Sequence, residues 1–157
     1  MEAALGRDNG PAGSDGTRGR CWMAAVAKQV YIEAPVEAVW AALTDPEAIM
    51  GWMGEDTQVA VDLRVGGPYQ FFYGATTGRF TQIDPPRRLA YTWRQDEWPS
   101  DWPDSVVRWA LEPEGAGTRL HLTHDQFPNP TERDGHDEGW DVFWLNPMQD
   151  WLEAPGG

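Results

Sequence analysis

Positive charge, thiols and long apolar runs are all scarce in this chain. Lys and Arg number 12 against 25 Asp and Glu in 157 residues, a formal charge of −13, and lysine occurs once, at Lys28. Binding to a phosphate backbone or to anionic headgroups rests on clustered cations, so no nucleic acid and no membrane surface is expected as a partner. The single cysteine, Cys21, cannot close an internal disulfide and suits a reducing compartment. No stretch approaches the ~18 apolar residues of a membrane span, and the first twenty residues lack the apolar core of a secretion signal, so the expected location is cytoplasmic. The Asn129-Pro130-Thr131 triplet carries proline in its middle position, which excludes it as a glycan acceptor. Ser-His-Asp, Cys-His and phosphate-cradling glycine patterns are missing too, and no catalytic residue, metal or cofactor is assigned.

What the chain does have is aromatic surface: ten Trp, five Phe and four Tyr. Residues 1–22 hold almost nothing to bury and are expected to form a disordered extension, leaving one domain over 23–157. Gln29 to Glu33 alternates apolar and polar as a half-buried strand does. Val36, Val39, Trp40 and Leu43 recur at helical spacing after Pro35. Asp45-Pro46 then caps and opens a second short helix carrying Ile49 and Trp52. Six strands are expected next: Val59 to Val65, Tyr69 to Tyr73, Arg79 to Ile83, Leu89 to Gln95, Val106 to Pro113 and Thr118 to Phe127, with Gly66-Gly67 as a hairpin turn. After a loop from Pro128 to Gly135, the residues Trp140, Phe143, Trp144, Met148, Trp151 and Leu152 form one apolar helical stripe. Pro147 inside that stripe predicts a kink or a restart, with Asn146 as a cap.

Alternation assigns the faces. Phe71 and Tyr73, then Leu89, Tyr91 and Trp93, then Val107, Trp109 and Leu111, then Leu120, Leu122 and His124 share one strongly aromatic side of the sheet. The fold class is therefore α+β, with an antiparallel sheet whose apolar face meets an apolar helix.

Five pieces in order carry a family resemblance: Val39-Trp40; Gly66-Gly67; Asp84-Pro85-Pro86-Arg87-Arg88-Leu89-Ala90-Tyr91-Thr92-Trp93; Gly117-Thr118-Arg119-Leu120-His121-Leu122-Thr123-His124; and Gly139-Trp140. Over roughly Val26 to Glu153 the chain resembles the bacterial single-domain relatives of the C-terminal domain of the activator of the heat-shock protein 90 ATPase, a branch of the START-like (SRPBCC) superfamily. The resemblance implies a helix-grip fold, a curved antiparallel sheet wrapped around a long C-terminal helix, with two short helices after the first strand. It also implies an apolar cavity between sheet and helix. Around that cavity we place Trp40, Phe71, Tyr73, Phe80, Tyr91, Trp93, Trp109, Leu111, Leu122, His124, Trp140 and Trp144 as ligand-binding residues. The Asp96 to Asp104 segment repeats an acid-tryptophan-proline unit, and Trp98 and Trp102 are read either as a lid over the cavity or as packing on the sheet's own edge.

Three functions are open. The first is binding of a hydrophobic or aromatic small molecule, and the second a polyketide cyclase or aromatase-like enzyme using His124, Tyr91, Tyr73 and Gln82. The third is chaperone ATPase stimulation or another protein contact, including a homodimer. Binding leads, because the polar candidates are few and scattered. His121 and His124 lie on opposite strand faces and cannot share an ion. His124 is read as a neutral buried imidazole bonded to a helix carbonyl, against the alternative of a general acid or base. His136-Asp137-Glu138 is read as a solvated helix terminus.

Overall fold

The computed structural model describes residues 25–154, and the expected extension lies outside them. Seven strands form one antiparallel sheet in the order β1-β7-β6-β5-β4-β3-β2. These are β1 (Val26–Ile32), β2 (Ala60–Val61), β3 (Pro68–Phe71), β4 (Thr76–Asp84), β5 (Arg88–Gln95), β6 (Ser105–Glu114) and β7 (Gly117–Asp125). Between β1 and β2 lie α1 (Val36–Thr44) and α2 (Pro46–Met53), where the Asp45 side chain accepts from the Glu47 amide at 3.2 Å. A single long helical rod closes the inner face. It is built from α3 (Pro130–Gly139), a π-helical segment (Trp140–Leu145) and α4 (Asn146–Glu153).

The inner face follows the alternation. Leu89, Trp109 and Leu122 are aligned across β5, β6 and β7, as are Tyr91, Val107 and His124, and all six are buried. Two expectations fail where the strand period is broken. Phe72 and Tyr73 take φ of 55° and 59°, left-handed values that end β3 after Phe71 and turn the Tyr73 ring outward, 67% exposed. A bulge between Phe80 and Gln82 leaves Phe80 buried and Gln82 on the solvent side. Both polar candidates thereby leave the interior. The strand expected from Val59 to Val65 shrinks to two residues, because the Gly66-Gly67 stretch is pinned on β4, with the Gly66 amide donating to the Phe80 carbonyl at 2.8 Å and the Phe80 amide to the Gly67 carbonyl at 3.0 Å.

The long helix begins ten residues earlier than its apolar stripe suggests. Asn129 caps it by accepting from the Glu132 amide at 2.9 Å, and Pro130 takes the first turn, where a missing N–H costs nothing. The expected loop Pro128 to Gly135 is thus mostly helix, hidden from periodicity because α3 has no buried residue. Pro147 does disturb the helix, but not by a restart. Asn146 keeps helical dihedrals, φ −66° and ψ −50°, and donates its amide to the Asp141 carbonyl five residues back. The widened turn absorbs the residue that cannot bond to the Phe143 carbonyl. It also rotates the stripe, so that Leu145 is buried while Phe143 is 64% exposed.

Polar contacts fix the rod to the sheet's far edge. Lys28 on β1 reaches Asp137 at 2.7 Å and Asp141 at 3.0 Å. Partial burial would lower the ammonium pKa, but the hydrogen bonds and charges of the two aspartates outweigh it and raise it. Gln149 donates to the Tyr31 carbonyl at 3.1 Å, and the Trp151 ring covers Gly51 of α2.

Two glycine substitutions should part company. A side chain at Gly67 would run into the Asp62 backbone carbonyl, whereas at Gly135 nothing lies within 4 Å. Gly67→Ala is expected to destabilise by more than about 2 kcal/mol. Gly135→Ala, in mid-helix, should stabilise by roughly 0.5–1 kcal/mol. Denaturant melts of the two variants check the pair, and equal effects would contradict the placement.

Candidate functional site

The interface between sheet and helix is a stack of rings. Trp93 and Trp140 centroids stand 5.0 Å apart, Trp140 and Trp144 4.9 Å, Phe71 and Trp144 5.2 Å, and Trp52 and Trp144 5.2 Å. Most pairs are tilted or edge-on, the arrangement the ring quadrupole favours. Phe71, Phe80, Tyr91, Trp93, Trp109, Leu111, Leu122 and His124 are buried in this packing, and Trp40 lies half-buried on α1.

Indole donates and cannot accept, so a buried Trp N–H is stabilised where an acceptor faces it. The Trp109 N–H donates to the Tyr91 hydroxyl at 2.9 Å and Trp52 to the Ala42 carbonyl at 2.9 Å. Burial pushes the Tyr91 hydroxyl well above its ordinary pKa, and the Trp109 bond offsets a little of that. Trp140 donates to His124 Nδ1 at 3.0 Å, while His124 Nε2 sits 2.7 Å from Ser105 Oγ, whose own proton goes to the Trp93 carbonyl at 3.0 Å. The proton count admits one tautomer: Nε2–H donates to serine and Nδ1 accepts from tryptophan. Burial first, and His136 second, hold the His124 pKa well below its ordinary 6.5. The imidazole is structural and neutral, as expected, although its helix partner is an indole rather than a carbonyl.

His136 is likewise part of the interior, not a solvated helix end. Its ring lies 5.2 Å from that of His124, and its side chain is 12% exposed. Nε2 accepts from the Trp93 N–H at 3.0 Å, so Nδ1–H donates to the Glu132 carbonyl at 2.7 Å. The Glu132 carboxylate in turn accepts from the Trp98 N–H at 3.0 Å. His121 faces the other way, towards Glu112 at 3.6 Å.

At the end of this network the rings part and leave a solvent-open cavity of about 310 Å³ between the long helix and the end of the sheet. Phe72 and Gln95 border it on the sheet side, and Thr131, Glu132, Gly135, His136, Gly139, Trp140, Phe143 and Trp144 on the helix side. Trp140 and Trp144 are the members of the expected ligand set that line it. Trp98 and Trp102 do not. Trp98 is buried against Glu132, and Arg94 holds its loop by donating to the carbonyls of Trp98, Pro99 and Trp102, so the loop braces the cavity wall from behind. Sequence reasoning missed Phe72, Gln95, Thr131, Glu132, Gly135, His136, Gly139 and Phe143 as lining residues. The Gly135-x-x-x-Gly139 spacing was the available sign, concealed because Gly135 was assigned to a loop. A larger open groove of about 1010 Å³ lies on the opposite, threonine-rich face of the sheet. Its arginines are engaged, Arg79 with the Gly66 carbonyl and Arg94 with its loop.

A curved antiparallel sheet closed by one long C-terminal helix, with two short helices after the first strand, defines a START-like helix-grip protein. Residues 33–153 match the sequence family described as Activator of Hsp90 ATPase homolog 1-like protein, and the chain belongs to that family. CalU16 from Micromonospora echinospora is 30% identical with a TM-score of 0.70, over 83% of this chain and 77% of that one. A Plasmodium falciparum protein described as an HSP90 activator shares the fold at 24% identity and TM-score 0.72, over 80% of this chain and 93% of that one. An uncharacterised Schizosaccharomyces pombe protein is 28% identical over 91 residues, 57% of this chain and 26% of that protein. The chain therefore spans about a quarter of that relative's length.

The His124 arrangement has consequences for stability. His124→Ala strands the Trp140 N–H and is expected to cost about 1–3 kcal/mol, with His124→Gln recovering much of it. Because the folded pKa is depressed, the unfolded chain takes the proton first. Stability is intact above about pH 6.5 and falls as the pH drops from there toward the folded value, by at most ~1.4 kcal/mol per pH unit. Chemical melts from about pH 7 to about pH 5 should show a steeper decline for the parent than for His124→Gln. Parallel profiles would contradict this.

Proposed function

We propose that the protein binds a small hydrophobic or aromatic molecule in the cavity between the sheet end and the long helix. The observation that carries this reading is the pair of helical glycines on the cavity wall. A Cβ at Gly135 would meet nothing within 4 Å, and one at Gly139 only the Phe143 ring, at 3.8 Å. Each glycine costs an interior helix about 1 kcal/mol relative to alanine, and neither is needed for a close approach or a turn. Side chains there would fill the space. The cavity stands at the lower end of the ~300–1,000 Å³ typical of ligand pockets and has aromatic walls with a few polar groups at the rim.

The same geometry argues for binding over catalysis. Both nitrogens of His124 and both of His136 are committed to indoles, a hydroxyl and a carbonyl, so neither imidazole offers a lone pair to a substrate. A protein-contact reading draws support from the exposed Tyr73, Val142 and Phe143 and from the fold shared with the Plasmodium falciparum activator.

Naphthalene, a flat neutral probe, should quench tryptophan emission saturably in the parent. Gly135→Leu should fold at least as stably yet lose affinity by tenfold or more, about the 1.4 kcal/mol expected from blocking an apolar contact. Undiminished binding by that variant, or no saturable binding by the parent, would remove the proposal.

A further inference from the structure

We propose that the cavity selects an organic cation, an arylmethyl ammonium whose positive head lies against Glu132 and whose ring covers Trp140 and Trp144. The inference rests on the binding reading above and adds the charge of the ligand. Glu132 lines the cavity, and its carboxylate is held in place by the Trp98 N–H at 3.0 Å. Among the described residues no lysine or arginine lines the space, and none forms an ion pair with Glu132. The adjacent Arg133 turns to Asp134 at 3.2 Å and Asp137 at 3.7 Å, and Lys28 is spent on Asp137 and Asp141.

His136 approaches Glu132 Oε1 only to 3.9 Å, and its Nδ1–H is given to the backbone. The carboxylate thus stands at the rim of a cavity whose aromatic walls are Phe72, Phe143, Trp140 and Trp144, with Gln95, Thr131 and His136 beside them. A fixed anion beside aromatic faces is the chemistry that recognises alkylammonium groups, through charge and through the negative face of each ring. A carboxylate or phosphate ligand would be repelled by Glu132. The formal charge of −13 draws cations toward the protein and repels anions.

The test is a matched set of probes read by tryptophan fluorescence at low salt: (1-naphthylmethyl)trimethylammonium, its neutral isostere 1-neopentylnaphthalene, and 1-naphthaleneacetate. The cation is expected to bind about tenfold more tightly than the isostere, and the acetate more weakly than both. Glu132→Gln keeps an acceptor for Trp98 and should abolish the cation's advantage while leaving the isostere's affinity unchanged. Should the isostere bind as well as the cation, the charge selection is overturned and the apolar binding reading stands. If no probe binds the parent saturably, both fall. A cation advantage that persists in Glu132→Gln would come from net charge or from the ring faces and would also overturn the assignment to Glu132. The parent comparison decides the question even if that variant does not fold.

Discussion

Everything in this structure depends on how buried indole N–H groups are satisfied. A tryptophan N–H in an apolar interior costs about 1–3 kcal/mol if it finds no acceptor, and this chain buries several side by side. Three of those donors tie the helical rod to the sheet or to its loop. Trp140 of the helix reaches His124 of the sheet, Trp93 of the sheet reaches His136 of the helix, and Trp98 of a loop reaches Glu132 of the helix. Traffic in both directions fixes the distance and the rotation of the rod over the sheet. Non-directional packing of rings could not do that alone.

A helix held by directed bonds does not settle to fill every gap. Over Trp93 and His124 the rings close up, and a few residues along the helix they separate, because Gly135 and Gly139 contribute no side chains. The π-helical turn contributes as well. By adding a residue before Pro147 it sends Trp140, Trp144 and Leu145 inward and leaves Phe143 at the cavity edge. Stability and cavity thus come from one arrangement, in which the network is the fixed frame and the glycines are the opening.

Much of this was legible in the sequence, and the failures have physical causes. Strand alternation located Leu89, Tyr91, Trp93, Trp109, Leu122 and His124 correctly, since the period of two holds while the chain stays extended. It misled at Tyr73 and Gln82, where left-handed residues and a bulge break the period. Helical periodicity found Trp140, Trp144 and Met148 but missed α3, which buries no residue and consists of polar side chains, a proline and glycines, although Asn129-Pro130 and Glu132 spelled out its start. The proline was read rightly as a disturbance. Its remedy, a widened turn, depends on how Trp140 and Trp144 meet the sheet and cannot be read from local residues.

The tautomers of the two buried histidines test the frame most directly. Nitrogen-15 NMR of the imidazole rings should show opposite neutral forms at neutral pH, His124 carrying its proton on Nε2 and His136 on Nδ1. His124 should stay unprotonated well below the ordinary value of 6.5. Matching tautomers, or a His124 that titrates near 6.5, would mean that the indoles are not bonded as described and that the helix is not held in this way.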